Sequence, residues 1–231
     1  MATMIDIIGA LFIGGFLLLI ALTATDNATT EFFNYNFDAI IQQSLARVST
    51  TIQYDLRKIG YGIPEDQRQT ILQIATGNHL KFLSHLNSDP EARVGITAVG
   101  WLDNVVDSIE YVLQPLDSVN YYDTTVTTYS IVRIIKIPPN YTHRMTVGVI
   151  GNAQMFRYLN KMGQEVAYIP ATRMVEVTLT AFDPRIFLSR DWVDSKLNEI
   201  SNAEYRKKEL RRLLRASYWR QTRLISRNLE R

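Results

Sequence analysis

The chain opens on an apolar run at residues 7–25, IIGALFIGGFLLLIALTAT, that contains no charged residue. At about 1.5 Å per residue the run makes a helix of roughly 28 Å, close to the hydrocarbon thickness of a bilayer. After a short polar stretch at 26–30, Phe33, Phe37, Ile40, Ile41, Leu45, Val48, Ile52, Leu56 and Ile59 recur at the spacing of one helix face. Gly60-Tyr61-Gly62-Ile63-Pro64 then supplies stop signals, because glycine tolerates positive φ and proline cannot continue the hydrogen-bond ladder. If the polar stretch stays helical, residues 5–59 form one helix of roughly 80 Å, half lipid-like and half amphipathic.

Residues 64–75 read as a short helix, with Pro64 in its first turn and Gly77-Asn78 past its end. The period then changes to two. Residues 109–113, 124–137 and 174–182 read as half-buried strands, and 79–84, 94–99, 145–150, 154–159 and 166–169 as weaker ones. Turn signals separate them at Ser88-Asp89-Pro90, Pro138-Pro139-Asn140, Gly151-Asn152 and Met162-Gly163. Beyond Asp183-Pro184 the pattern is helical again, at 189–200 and 202–229, with Leu210, Leu213, Leu214, Tyr218, Leu224, Ile225 and Leu229 on one side. The expected fold is α+β: a long N-terminal helix packed on an antiparallel sheet, with basic C-terminal helices. Its segments are an assembly helix at 1–30, an amphipathic continuation at 31–62, a globular domain at 63–188 and a basic extension at 189–231.

Composition narrows the function classes. The 231 residues include no cysteine, which excludes disulfides, thiolate metal sites and cysteine nucleophiles. His79, His85 and His143 lack ligand spacing, and no phosphate-cradling loop, nucleophile elbow or zinc-protease helix occurs. Asp103/Asp107 and Asp191/Asp194 have the spacing of a solvated helix face. The expected protein is not an enzyme and needs no cofactor or metal. Asn27-Ala28-Thr29 and Asn140-Tyr141-Thr142 fit the glycosylation pattern, which short sequences often meet by chance. The first six residues, MATMID, carry no basic n-region, so the apolar run reads as an anchor rather than a cleaved signal.

Net charge is +2, but the last 26 residues hold ten basic and two acidic side chains, so the rest of the chain is acidic. Nine of the ten, Arg206, Lys207, Lys208, Arg211, Arg212, Arg215, Arg220, Arg223 and Arg227, with Trp219 among them, form a basic set that suits an anionic surface: lipid headgroups or an acidic protein partner. An anchored chain disfavours nucleic acid as that surface. At the other end, Asp6 borders the apolar run, where a carboxylate is costly unless it stays wet or meets a positive charge. Staying wet, it is a first-turn acid that favours the helix dipole. Ala10 and Gly14, with Gly9 and Gly15, provide small surfaces that let apolar helices approach closely.

With Met1 removed, residues 2–15 (ATMIDIIGALFIGG) resemble the mature N-terminus of type IV pilins and type II secretion pseudopilins. Thr3, the Ala10-Leu11 pair and Gly15 match that pattern, Asp6 falls at the family's glutamate, and Ala2 replaces its phenylalanine. Tyr54-Asp55-Leu56-Arg57-Lys58-Ile59-Gly60-Tyr61-Gly62 is similar to a segment of larger minor pilins. The resemblance covers about the first 62 residues and, beyond them, only the order of elements. The basic leader of that family either lies upstream of Met1 or is absent in a relative inserted by another route. The resemblance implies a structural subunit of a filament or membrane assembly, in the inner membrane and periplasm or in an extracellular filament. Its partners would be copies of itself or related pilin-like subunits and membrane lipid, with Asp6, Ala10, Gly14 and Gly15 at the contact and Asp6 pairing with a neighbour's terminal amine. The alternative is a single-pass anchored recognition module that binds anionic lipid or an acidic partner through its basic end.

Overall fold

The structure, a computed structural model, describes residues 2–86, 106–121, 124–138, 141–182, 190–215 and 218–225, together with Ile186 and Leu229. The expected strand at 94–99, the Ser88-Asp89-Pro90 turn, Asp103, Pro139-Asn140, Asp183-Pro184 and Arg227 lie outside the described residues. The fold is α+β, with a long helix, two antiparallel sheets and two shorter helices among the described residues. Two compact units are distinguished, Met1–Gln43 and Ser44–Arg231.

Helix α1 runs from Ala2 to Leu56. It continues through the polar stretch, where Thr25, Thr29 and Thr30 donate their hydroxyls to carbonyls four residues earlier and so satisfy themselves within the helix. Past its end, Gly60 and Gly62 adopt φ of 67° and 73°, a conformation that L side chains rarely take. The Gly60 N–H reaches the Leu83 carbonyl at 2.9 Å and ties this turn to the sheet.

Residues 64–75 do not make the expected helix. A 3-10 turn, Glu65–Thr70, leads into strand β1, Leu72–Ala75. The segment is too short to hold a helix by itself, and β1 finds an antiparallel partner in β2, His79–Ser84. Strands β3 (Asp107–Tyr121), β4 (Thr124–Ile137) and β5 (Tyr141–Ile150) extend this sheet as a meander in the order β1-β2-β3-β4-β5. A second sheet has the order β6-β7-β8, from Phe156–Leu159, Met174–Ala181 and Tyr218–Ile225. The weak strand expected at 166–169 is not formed; a bend there leads into a 3-10 turn, Ile169–Ala171, whose Pro170 has no N–H for a ladder.

The C-terminal region departs further from the expected helices. Helices α2 (Arg190–Asn198) and α3 (Ala203–Arg215) form, but the helix expected to reach residue 229 stops at Arg215. Residues 218–225 are strand β8, paired with β7 from Met174↔Ile225 to Ala181↔Tyr218. Tyr218, Trp219, Thr222 and Ile225 favour strands, and an open β7 edge offers pairing that a helical period cannot reveal.

In the second unit, Leu45, Val48, Ile52 and Leu56 of α1 are buried in the core. Gly148 on β5 allows this approach, because a Cβ there would overlap the Val48 side chain. A charged layer lies within the same interface. Tyr111, Arg133 and Met145 are cross-strand neighbours on β3, β4 and β5, and the first two meet Asp55 of α1. Arg133 donates from Nε and Nη2 to the two Asp55 oxygens at 2.6 and 2.7 Å, and the Tyr111 hydroxyl donates to Oδ2 at 2.5 Å. All three side chains are buried. Burial opposes the charge on Arg133, yet the hydrogen bonds and charge of Asp55 raise its pKa above the ordinary arginine value. Burial, and then the Asp55 charge, push the Tyr111 phenol well above its usual range.

Removing one member of such a pair strands a buried charge, so Asp55→Ala is expected to cost about 3–5 kcal/mol in denaturant unfolding. Replacing both partners, as Asp55→Leu with Arg133→Met, should recover most of that loss. If the single and double variants unfold alike, the pair does not hold the helix on the sheet.

Candidate functional site

The residues expected to carry function lie at the two ends of the chain. In the N-terminal unit, Asp6, Ala10 and Gly14 follow one another at four-residue intervals on one side of α1, with Gly15 adjoining. All four are exposed, and a Cβ added at Gly9, Gly14 or Gly15 would meet nothing within 4 Å. Large apolar side chains surround them without cover: Leu11, Phe12, Ile13, Phe16 and Leu17 are each more exposed than buried. Asp6 is the fifth residue of the helix and not in its first turn, so the reading of Asp6 as a first-turn dipole acid loses its basis. Thr23 and Thr25 bond back to the Leu19 and Ala21 carbonyls, leaving the end of the run without an unsatisfied hydroxyl.

The amphipathic stripe divides within α1. Leu45, Val48, Ile52 and Leu56 are buried, whereas Phe33, Phe37 and Ile40 are exposed. One periodic pattern thus serves two environments.

The C-terminal cations do not form one continuous face. Arg206 donates to the Leu197 and Ile200 carbonyls at 2.8–3.2 Å and caps the end of α2. Arg212 pairs with Glu209 one turn away. Arg223, on β8, pairs with Glu176 of β7, its register partner, at 2.5 Å. Lys207, Lys208 and Arg211 are exposed on α3 and Arg220 on β8. The side chains of Arg215 and Trp219 lie outside the described residues. The structure therefore brings Lys207, Lys208 and Arg211 together on one helix and assigns Arg206, Arg212 and Arg223 to contacts within the body.

Two charged centres escaped the sequence reading. One is the Asp55–Arg133 pair; its traces are an acid inside the apolar stripe of α1 and an arginine flanked by Ile131, Val132, Ile134 and Ile135. The other is Glu176, fully buried between Arg157 of β6 and Arg223 of β8, which are its partners across the two neighbouring strands. Elsewhere His79 Nε2 lies 2.8 Å from Glu110 Oε1, and His143 stacks on Tyr141. No cluster of three or more metal-ligating side chains converges among the described residues.

No family model, curated protein or solved structure matches this chain.

Burial works against the ionised Glu176 carboxylate, but hydrogen bonds from Arg223 and Gln221 and the charges of Arg223 and Arg157 hold its pKa below the ordinary glutamate value. A carboxylate depressed in the folded state adds stability above its unfolded pKa, about 4.3, and loses it as the pH falls through the lower folded value. Thermal melts from pH 7 downward should show this acid-induced loss in the native chain and a smaller one in Glu176→Gln. An identical acid dependence in both would remove Glu176 from the balance.

Proposed function

We propose that this protein is a membrane-anchored, non-catalytic structural subunit that assembles laterally through α1 with copies of itself or with related pilin-like subunits. The observation that carries the reading is the exposure of the apolar half of α1. No part of its most apolar stretch is buried within the chain, while the last turns of the same helix form the core of a folded unit. An apolar surface of this extent needs lipid or other apolar helices around it. Among the described residues one helix is long and apolar enough to cross a membrane, and it begins near the N-terminus.

Two features favour helices over lipid as the final surroundings. Ala10 and Gly14 share a side of α1, and small residues at four-residue spacing allow close helix approach. Asp6, on that same side, gains most from a neighbouring cation, and a terminal amine exposed by loss of Met1 would supply one. The subunit would then reside in the membrane before entering a filament or membrane assembly. The alternative of an anchored recognition module rests on exposed Lys208, Arg211 and Arg220. Truncation cannot separate the two readings, because removing residues 206–231 also removes β8 and the buried Leu210.

The test uses the absence of native cysteine. Full-length chains carrying Leu11→Cys are expected to cross-link to one another in membranes, and Asp6→Ala should lower that product at least about fivefold with the folded body intact by melting. Undiminished cross-linking would exclude Asp6 from the contact. No product from a cysteine placed on any side of residues 7–25 would sink lateral assembly itself.

A further inference from the structure

Residues 32–40 of α1 carry an apolar surface that a membrane anchor does not explain. Phe32, Phe33, Tyr35 and Ile40 are 64, 56, 75 and 61% exposed. With residues 7–25 in the hydrocarbon, Phe33 stands about 12 Å beyond Thr25 along the helix and Ile40 about 22 Å. The headgroup layer extends only about 5–8 Å on each side, so these side chains stand beyond the lipid. The unit that bears them holds Asp6, Asp26, Glu31 and Asp38 and not one Lys or Arg. Glu31 and Asp38 are seven residues apart and share a side of the helix. The same segment of another copy would set acid against acid.

The complementary charge is on α3, which contains six basic and two acidic residues. Lys208 and Arg211 are exposed there, three residues apart and so on one side. The apolar side of α3 is already committed, since Leu210 and Leu213 pack with Tyr121, Val126, Val193 and Leu197. A membrane-inserting helix would need that side. Helix α3 therefore offers cationic heads on long methylene stems, which suit a surface of acids and aromatic rings.

We infer that α3 of one copy docks on the side of α1 that carries Glu31, Tyr35 and Asp38 in a second copy, with Lys208 and Arg211 meeting Glu31 and Asp38 and their stems covering the Tyr35 ring. This contact rests on the reading of the chain as a subunit that assembles with itself. It names the acidic partner of the basic end as another copy of the same chain.

The experiment mixes two differently tagged full-length chains in membranes, one with Tyr35→Cys and one with Glu204→Cys, and measures the mixed cross-linked product. We expect that product in the native background. It should fall at least about fivefold when the first chain also carries Glu31→Lys and Asp38→Lys, and return when the second then carries Lys208→Glu and Arg211→Glu. Rescue by the second reversal shows that the first did not act through misfolding. If Leu11→Cys chains cross-link but the Tyr35/Glu204 product is absent or ignores both reversals, the docking is overturned and assembly through α1 stands. If neither the Tyr35/Glu204 product nor one from a cysteine on any side of residues 7–25 forms, both readings fall. A fluorophore on Glu204→Cys that responds to the anionic-lipid fraction of vesicles, with no mixed product, would assign α3 to lipid and overturn the docking.

Discussion

A carboxylate on a helix and a guanidinium on a central strand, both shielded from water, set the register between α1 and the five-stranded sheet. Asp55 accepts two hydrogen bonds from Arg133 and one from Tyr111, so its charge is balanced and its oxygens are occupied. Burying two ions carries a large desolvation cost, and an apolar pair of the same volume would hold the helix at least as firmly. What the ionic pair adds is discrimination. A helix slid by one turn would part Asp55 from Arg133 and leave two buried charges unpaired, a penalty no apolar stripe can impose. With this register set, Val48 meets Gly148 and Gln53 reaches Thr222 of β8 at 3.1 Å.

The second sheet repeats this logic on a smaller scale. Glu176 sits at the centre of its middle strand with an arginine beside it on each flanking strand. Because one of those arginines comes from β8, the chain's basic end is part of the fold and only partly a surface. Asn152 reinforces the junction of the two sheets: its side chain accepts the Thr180 N–H and donates to the Thr178 carbonyl. The division of the C-terminal cations follows. Those that touch β7 or the end of α2 stabilise the body, and Lys208 and Arg211 on the outer side of α3 are exposed.

Helix α1 shows how one element answers to different surroundings in turn. Its apolar beginning has no internal cover, its middle pairs exposed aromatics with acids, and its last turns join the core. The small residues at 10 and 14 matter only where another helix comes close, and the aromatics at 32–37 only where something covers them. The acidic character of residues 26–43 and the basic character of α3 were legible as the asymmetry between the chain's body and its end.

Features governed by local period were legible in the sequence. The length and apolarity of α1, its stop at Gly60 and Gly62, and the strands at 79–84, 109–113, 124–137 and 174–182 follow from spacing between near neighbours, since helix and strand periodicities are local properties. The placement of Asp6, Ala10 and Gly14 on one side of a helix was likewise legible from their four-residue spacing. Tertiary structure decided whatever depended on distant partners. Residues 72–75 became a strand because β2 was there to pair, and 218–225 because β7 had an open edge. Asp55 and Arg133, 78 positions apart, and Glu176 and Arg223, 47 apart, became buried pairs only when packing excluded water from both members. A sequence displays charges one at a time; burial, which sets their energy, belongs to the folded chain.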